Sequence, residues 1–252
     1  MASHNQAWTM NSSASDPSET NYSKEALTEH NEIVEHGKQG KDFSMERDYW
    51  QQLLTTEEGA RGYKDGFKLL FCPWRLIDTA DTLFLSLNPG NDPSGEFMRL
   101  ASDERGNSYL VRRQAKHSPM ADQYRQLCEF VGKDPEQVLA GTLMPFRTPN
   151  WDNRRDALSV EVTEPFWRNI FESGKIQRVF CMGRAVESAV VKQSNAQIDC
   201  QIPANWGNLN IRRYTTENGM KVYGLLHFST YKMFGRAECL PQLAELLEIS
   251  DR

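Results

Sequence analysis

Hydrophobic positions in this chain come in short runs separated by polar stretches, and the runs differ in period. Residues 83–90 read Leu-Phe-Leu-Ser-Leu-Asn-Pro-Gly, an apolar run that stops on polar Asn88 and is cut by Pro89 and Gly90. Its length and its two turn-formers predict a buried strand. Residues 142–146, 178–182 (closed by Gly183) and 222–228 repeat the pattern and predict three more strands. Residues 67–72 predict a short apolar strand or turn. Elsewhere the period is that of a helix. Within residues 121–131, Tyr124, Leu127, Cys128 and Val131 fall at i, i+3, i+4 and i+7, and Gly132 follows as a stop signal. Residues 43–54, 166–171 and 184–192 predict further helices, the last with Val186, Ala189 and Val190 inward. Leu240, Leu243, Leu246 and Leu247 mark a final helix with Pro241 in its first turn.

Strands alternating with helices imply an α/β fold whose mostly parallel sheet is covered on both faces. In such a sheet Asn88, the segment 142–147, Gly183 and His227 all fall at carboxyl ends of strands. Open α/β sheets bind their ligands there. Residues 1 to about 40 break the pattern. They are rich in Ser, Asn, Glu and Thr and poor in large aliphatics, which predicts a mostly disordered tail before a single domain over 41–252. Residues 25–35 are expected to form at most a transient helix. Residues 92–119 predict a long polar loop.

Composition narrows the class. With 252 residues, 39% hydrophobic and 25% charged, the chain reads as a soluble globular protein. No apolar run approaches the ~20 residues that span a bilayer, and no secretory signal opens the sequence, so no membrane partner is expected. The five cysteines, Cys72, Cys128, Cys181, Cys200 and Cys239, are odd in number and scattered, without a CxxC pair. Free thiols in a reducing cytoplasm are the expectation, for a monomer. The net charge of −5 argues weakly against a nucleic-acid partner, but six acids against two lysines place −4 of it in residues 1–40. The rest of the chain carries −1. Within it, Arg105, Arg112, Arg113 and Lys116 form a basic segment that suits local DNA binding, although a solvated loop is the commoner use of a single charge run.

The candidate chemistry sits at two strand ends. Asn88 is no strong base, but its amide accepts one hydrogen bond and donates another, which suffices to orient a water. A leaving group that departs as a stabilised anion needs only such a weakly activated nucleophile. His227 can donate a hydrogen bond to that anion, as an oxyanion stabiliser does. Each residue also has a plainer use: Asn-Pro-Gly makes a turn on its own, and a lone His is often a core residue bonded to backbone. The sequence holds no GxSxG elbow, no GxxxxGKS/T phosphate loop and no HExxH. No metal and no cofactor are therefore expected.

At this point the residues carry a resemblance. Ser86-Leu87-Asn88-Pro89-Gly90 resembles the Gly-x-Asn-Pro-Gly water-activating motif of the uracil-DNA glycosylase superfamily, and His227-Phe228-Ser229 resembles its His-Pro-Ser motif. Gly141-Thr142-Leu143-Met144-Pro145-Phe146-Arg147 is similar to the segment that carries the base-reading Asn in several branches. Cys181-Met182-Gly183-Arg184-Ala185 is similar to the strand–Gly–helix unit before the second motif. The four motifs keep their order over roughly residues 80 to 245. The resemblance implies a three-layer α/β/α fold with a central, mostly parallel four-stranded sheet, and a metal-free, monofunctional glycosylase. Such enzymes flip a nucleotide from the stack and hydrolyse its N-glycosidic bond.

Carried over, Asn88 places the water and His227 stabilises the leaving base, with Leu87, Gly90, Asn91, Thr142 and Phe146 expected around the base. Ser229 is expected on a phosphate. Tyr231 to Arg236 corresponds to the loop that wedges into the duplex, with Met233 and Phe234 as its tip and Lys232 and Arg236 gripping phosphates. Packing beneath the last helix is the other use of Met233 and Phe234. Arg112, Arg113 and Lys116 complete the expected DNA contacts.

The departures carry information too. Ser86 replaces the first Gly, Phe228 replaces the Pro, and Thr142 stands where the uracil-reading Asn belongs. One short hydroxyl cannot reproduce the paired donor and acceptor of Asn. A uracil pocket loses discrimination when polar groups of the base go unpaired. The smaller side chain also leaves room, and the loop 92–119 offers Asn107, Arg112, Arg113, Lys116 and His117 to a polar substituent. The expected substrate is a modified pyrimidine, such as a hydroxymethylated or glucosylated cytosine of phage DNA, and the expected role is anti-phage defence. A uracil or thymine-mismatch repair glycosylase, a catalytically silent DNA-binding module and an unrelated nucleotide hydrolase are the alternatives. Trp151, Trp206 and Phe97 are the aromatic residues considered for stacking on the flipped base.

Overall fold

The computed structural model describes residues 46–90, 98–111, 118–148 and 155–249. The expected tail lies outside them, as do Asn91, Phe97, Arg112, Arg113, Lys116, His117 and Trp151. Among the described residues the strands are β1 (Phe67–Lys68), β2 (Thr82–Ser86), β3 (Arg99–Leu100), β4 (Leu139–Thr142), β5 (Arg178–Met182), β6 (Gln197–Pro203), β7 (Asn210–Thr215) and β8 (Lys221–Leu225). The α-helices are α1 (Arg47–Ala60), α2 (Leu76–Thr79), α3 (Ser108–Val111), α4 (Pro119–Phe130), α5 (Arg155–Ser159), α6 (Glu164–Glu172), α7 (Arg184–Ser194) and α8 (Leu240–Leu246).

The main sheet runs β4-β2-β5-β8-β7-β6, with the first three pairings parallel and the last two antiparallel. β2 and β4 are buried at every position, as strands covered on both faces must be. Strand alternation sorts the layers. Phe84, Phe180 and Tyr223 are register partners and face one way. Phe84 packs edge-on against Tyr124 of α4, with ring centroids 5.1 Å apart. Arg213, opposite Tyr223, donates to the Leu246 carbonyl of α8 at 3.2 Å, so α8 shares that face. Gly141, Leu85, Cys181 and Gly224 form the next register line and face the other way. A Cβ on Gly141 would meet Trp167 of α6, and one on Gly224 would run into Glu187 of α7. Helices therefore cover both faces.

Three expectations need correction. The sheet has six strands, not four. The hairpin β6–β7 extends it, and it escapes an apolar-run criterion because β6 is an edge strand whose side chains are mostly exposed. The strand expected over 142–146 is β4, which ends at Thr142. Residues 143–148 are still buried but run on as irregular chain whose one bridge, Phe146 to Phe67, is isolated, so their apolar character reports burial more than strand pairing. The loop expected over 92–119 contains β3, parallel to β1, and the short helix α3. Strand 178–182 matches β5, and the helix expected over 121–131 is α4, which Pro119 opens in its first turn. Beyond α4 the chain reverses through Gly132 at φ 69°, a left-handed position that suits glycine.

Candidate active site

Asn88 and His227 leave the sheet at the same height. Leu85, Cys181 and Gly224 are aligned across β2, β5 and β8, and Asn88 and His227 each lie three residues beyond their member of that line. Both strands point the same way, so both side chains arise at one rim, with β5 between them. Two interstrand spacings separate the exits by about 10 Å. Arg184, three residues beyond Cys181, pairs its guanidinium with Glu187, and the residue just before it at the intervening exit is Gly183, which has no side chain. Its φ of 88° is a left-handed value, and a Cβ there would lie 3.5 Å from His227 Cδ2. Gly183 also caps the start of α7 without any side-chain acceptor. The positive end of that helix dipole thus sits at the rim, where it favours negative charge.

His227 is half-buried. Its carbonyl accepts from the backbone N–H groups of Thr230 and Tyr231 at 3.0 and 2.8 Å, which fixes the turn that carries it. Phe228 is fully buried beside it, stacked on Phe84 of β2. An aromatic anchor thus holds the turn. Burial lowers the imidazole pKa from the ordinary 6.5, so the ring is neutral at pH 7. Ser229 Oγ lies 2.8 Å from Nδ1. When that hydroxyl donates to Nδ1, the ring proton resides on Nε2, and His227 presents a neutral N–H donor.

Asn88 is half-buried on a turn tied down from two sides. Leu143 N and Met144 N donate to the carbonyls of Ser86 and Leu87, both at 2.8 Å, and Arg147 Nη1 donates to the Gly90 carbonyl at 3.0 Å. Arg147 is itself buried. It is a positioning residue for the turn; the sequence shows it only as the last residue of the 141–147 motif. The Asn88 amide makes one long contact within the described residues, Nδ2 to the Pro89 carbonyl at 3.4 Å, so its hydrogen-bonding capacity is largely uncommitted.

Other expected site residues lie elsewhere. Thr142 is fully buried and donates its hydroxyl to the Lys68 carbonyl at 2.7 Å. Phe146 is fully buried and stacked on Tyr63, with centroids 4.7 Å apart. Leu87 is half-buried beside Asn88, and Gly90 is exposed. Met233 and Phe234 are the clearest correction. Both are buried, and Phe234 packs edge-on against Phe130 and Phe228. They are core and not an exposed wedge, because the short 3-10 turn Met233–Gly235 folds them inward against α4. Lys232, Arg236 and Ser229 remain exposed along the same loop. Asn91, Arg112, Arg113 and Lys116 lie outside the described residues.

Glu187, in the first turn of α7, had no signal in the sequence. Its buried carboxylate accepts from Tyr214 Oη at 2.5 Å, pairs with Arg184 and lies 3.7 Å from Arg212. The absent side chain of Gly224 makes room for it. The cluster ties α7, and so Gly183, to β7 and β8. Among the described residues no three His, Cys, Asp or Glu side chains gather where they could hold a metal ion, and no helix is long and apolar enough to cross a membrane. No protein-family model matches the chain, and no curated protein matches it either.

Proposed function

We propose that this protein is a monofunctional DNA glycosylase of the uracil-DNA glycosylase type. In this reading it hydrolyses the N-glycosidic bond of a flipped, modified pyrimidine and leaves an abasic site. The observation that carries the reading is the shared register of Asn88 and His227, three residues beyond one line across β2, β5 and β8, with Gly183 between them. The two side chains arise from backbone exits about 10 Å apart, and this reading puts a pyrimidine ring and one water between them.

Asn88 accepts a hydrogen bond from the water and aims its oxygen at C1′ of the deoxyribose. The C–O bond forms as the C–N bond breaks, and the bonding pair leaves with the base. Negative charge collects on the ring carbonyl oxygen, where His227 Nε2–H donates to it, aided by the amino end of α7. The proton lost by the water ends on the departing base, so no metal or cofactor is called for. Fixed donors of this kind lower the barrier because they need no reorganisation as charge develops.

The commitment of Thr142 to the Lys68 carbonyl supports a substrate other than uracil, since no paired donor and acceptor stands at that position. Cytosines carrying a hydroxymethyl or glucosyl group at C5 occur in phage DNA, and their excision suits a defence role in the cytoplasm. Exposed Lys232 and Arg236, with Arg112, Arg113 and Lys116, are the proposed phosphate contacts of a monomer on DNA, while the Ser229 hydroxyl is committed to His227 Nδ1.

Duplexes containing uracil, a T:G mismatch, 5-hydroxymethylcytosine or its glucosylated form, incubated with the protein and then cleaved at abasic sites, test the proposal. Strand breaks confined to the modified cytosines are expected. Release of uracil or thymine alone would overturn the substrate assignment in favour of repair, and release from none of them would overturn the enzyme.

A further inference from the structure

A second cleft opens beside the His227 loop, and its walls are built from three distant parts of the chain. It measures about 490 Å³ and is lined by Asp122, Gln123 and Gln126 of α4, by Trp206, and by Lys232 and Arg236. That volume falls within the ~300–1,000 Å³ of sites that hold one small ligand or group. Trp206 reaches it for a topological reason. β6 is antiparallel to β7 and β7 to β8, so β6 runs in the same direction as β8. The turn after β6 therefore emerges at the rim that carries His227.

The walls are fixed in advance. The Arg236 guanidinium lies over the Trp206 ring, 4.3 Å from its centroid, and Tyr231 meets the same ring edge-on at 5.6 Å. Asn205 Nδ2 donates to the Glu238 carbonyl at 2.8 Å, which clamps the β6–β7 turn to the chain after Arg236. Gln123 is buried. Its Oε1 accepts from Phe234 N at 3.0 Å and its Nε2 donates to Gln126 Oε1 at 2.5 Å, so it bolts the Lys232–Arg236 loop to α4. The carboxylates are already engaged: Asp122 pairs with Arg125, and Glu238 lies 3.8 Å from Arg236. Beside these paired, partly exposed carboxylates, solvent meets a planar cation backed by an indole, a second cation at Lys232, and the exposed amide of Gln126. A flat guanidinium with one face on an aromatic ring offers its other face to a π-system, and bases stack on such planes without regard to sequence.

We propose that this cleft takes a second nucleobase of the DNA, one near the flipped nucleotide in the same strand. The base stacks on the outer face of Arg236, Lys232 holds its phosphate, and Gln126 meets the base edge. The inference rests on the DNA glycosylase reading for its ligand, but its contacts do not involve Asn88 or His227.

Fluorescence anisotropy of a labelled single-stranded oligonucleotide of ordinary bases tests it without any turnover. Wild type is compared with Trp206→Ala and with Arg236→Lys, which keeps the charge and loses the plane. Each variant is expected to bind roughly 5- to 100-fold more weakly, with the salt dependence of Arg236→Lys unchanged. An abasic residue moved along the oligonucleotide should weaken wild-type binding at one position, and the two variants should be insensitive there. Arg236 is a surface residue, so its variant carries the test even where Trp206→Ala unfolds. Wild-type affinity in Arg236→Lys, or indifference of wild type to every abasic position, would overturn the cleft. If base release occurs while the variants bind normally, only this inference falls. If the variants bind weakly and no base is ever released, only the glycosylase reading falls. No DNA binding at all would overturn both.

Discussion

Two polar clusters in this protein invite the same question and give opposite answers. One joins Lys68 of β1 to Asp103 and to Ser108 of α3. The other is the rim of Asn88 and His227. By composition the first is the more tempting catalyst, since Lys68 Nζ lies 2.8 Å from Ser108 Oγ, as in a Ser–Lys pair. Yet Lys68 and Asp103 are 1% and 3% exposed, and their ion pair is 2.6 Å long. Burial alone would raise the Asp103 pKa, but hydrogen bonds from Arg105 and Lys68 outweigh it and hold the carboxyl far below the usual range. Lys68 Nζ donates both to that carboxylate and to Ser108 Oγ, so it is placed as a donor to the serine and not as an acceptor of its proton. Ser108 also donates to Asp103 at 2.9 Å, so the cluster is saturated and sealed. At the rim, burial is half complete and Asn88 has capacity to spare. Uncommitted hydrogen bonds, and not residue types, distinguish the proposed chemical site from scaffolding here.

The largest test of that contrast is Asn88→Ala. It should cut base release by about 10²- to 10⁴-fold, while the thermal midpoint stays that of wild type. A lost midpoint would make Asn88 scaffolding after all. Lys68→Ala should do the reverse. It takes the buried ammonium from the Asp103 carboxylate, which keeps Arg105 and Ser108, at a cost of at most about 3–5 kcal/mol, read as a lower urea midpoint. Base release per folded molecule should not change. A collapse of turnover at unchanged stability would move the chemistry to the sealed cluster. His227→Ala should lower base release by about 10²- to 10³-fold and leave DNA affinity intact. Equal loss of affinity would make His227 a binding residue.

The smallest effect is one of pH. Because burial lowers the His227 pKa, the unfolded chain takes up a proton below pH 6.5 that the folded protein resists. Stability is therefore complete above 6.5 and declines as pH falls toward the lowered folded value. Base release that needs the neutral ring with Ser229 on Nδ1 should fall in the same window. A His227→Gln variant with an unchanged acid limb would assign that limb to other groups.

The parallel half of the sheet was legible because β2, β5 and β8 are buried on both faces, and such strands must be apolar throughout. The position of Asn88 followed from that run and from Pro89 and Gly90. The β6 strand was not legible, because an edge exposed to water demands no apolar period. Residues 143–148 misled for the converse reason: buried irregular chain is as apolar as a strand. Met233 and Phe234 show the same ambiguity, since an apolar pair between two cations fits a tip or a core equally well. Arg147, Gln123 and Glu187 act through backbone carbonyls, amides and a glycine face that only the folded chain brings near. The approach of Trp206 to Arg236 needs two chain reversals, and no local pattern announces that.

Those reversals also bear on how the protein can change. Two antiparallel steps restore the direction of the chain, so the turn at 204–209 is delivered to the working rim while β6 and β7 sit at the sheet's margin. Lengthening or replacing that turn would leave the aligned positions of Leu85, Cys181 and Gly224 untouched. The hairpin is thus a detachable module, through which a lineage can reshape the proposed cleft at Trp206 while the strand ends of Asn88 and His227 stay as they are.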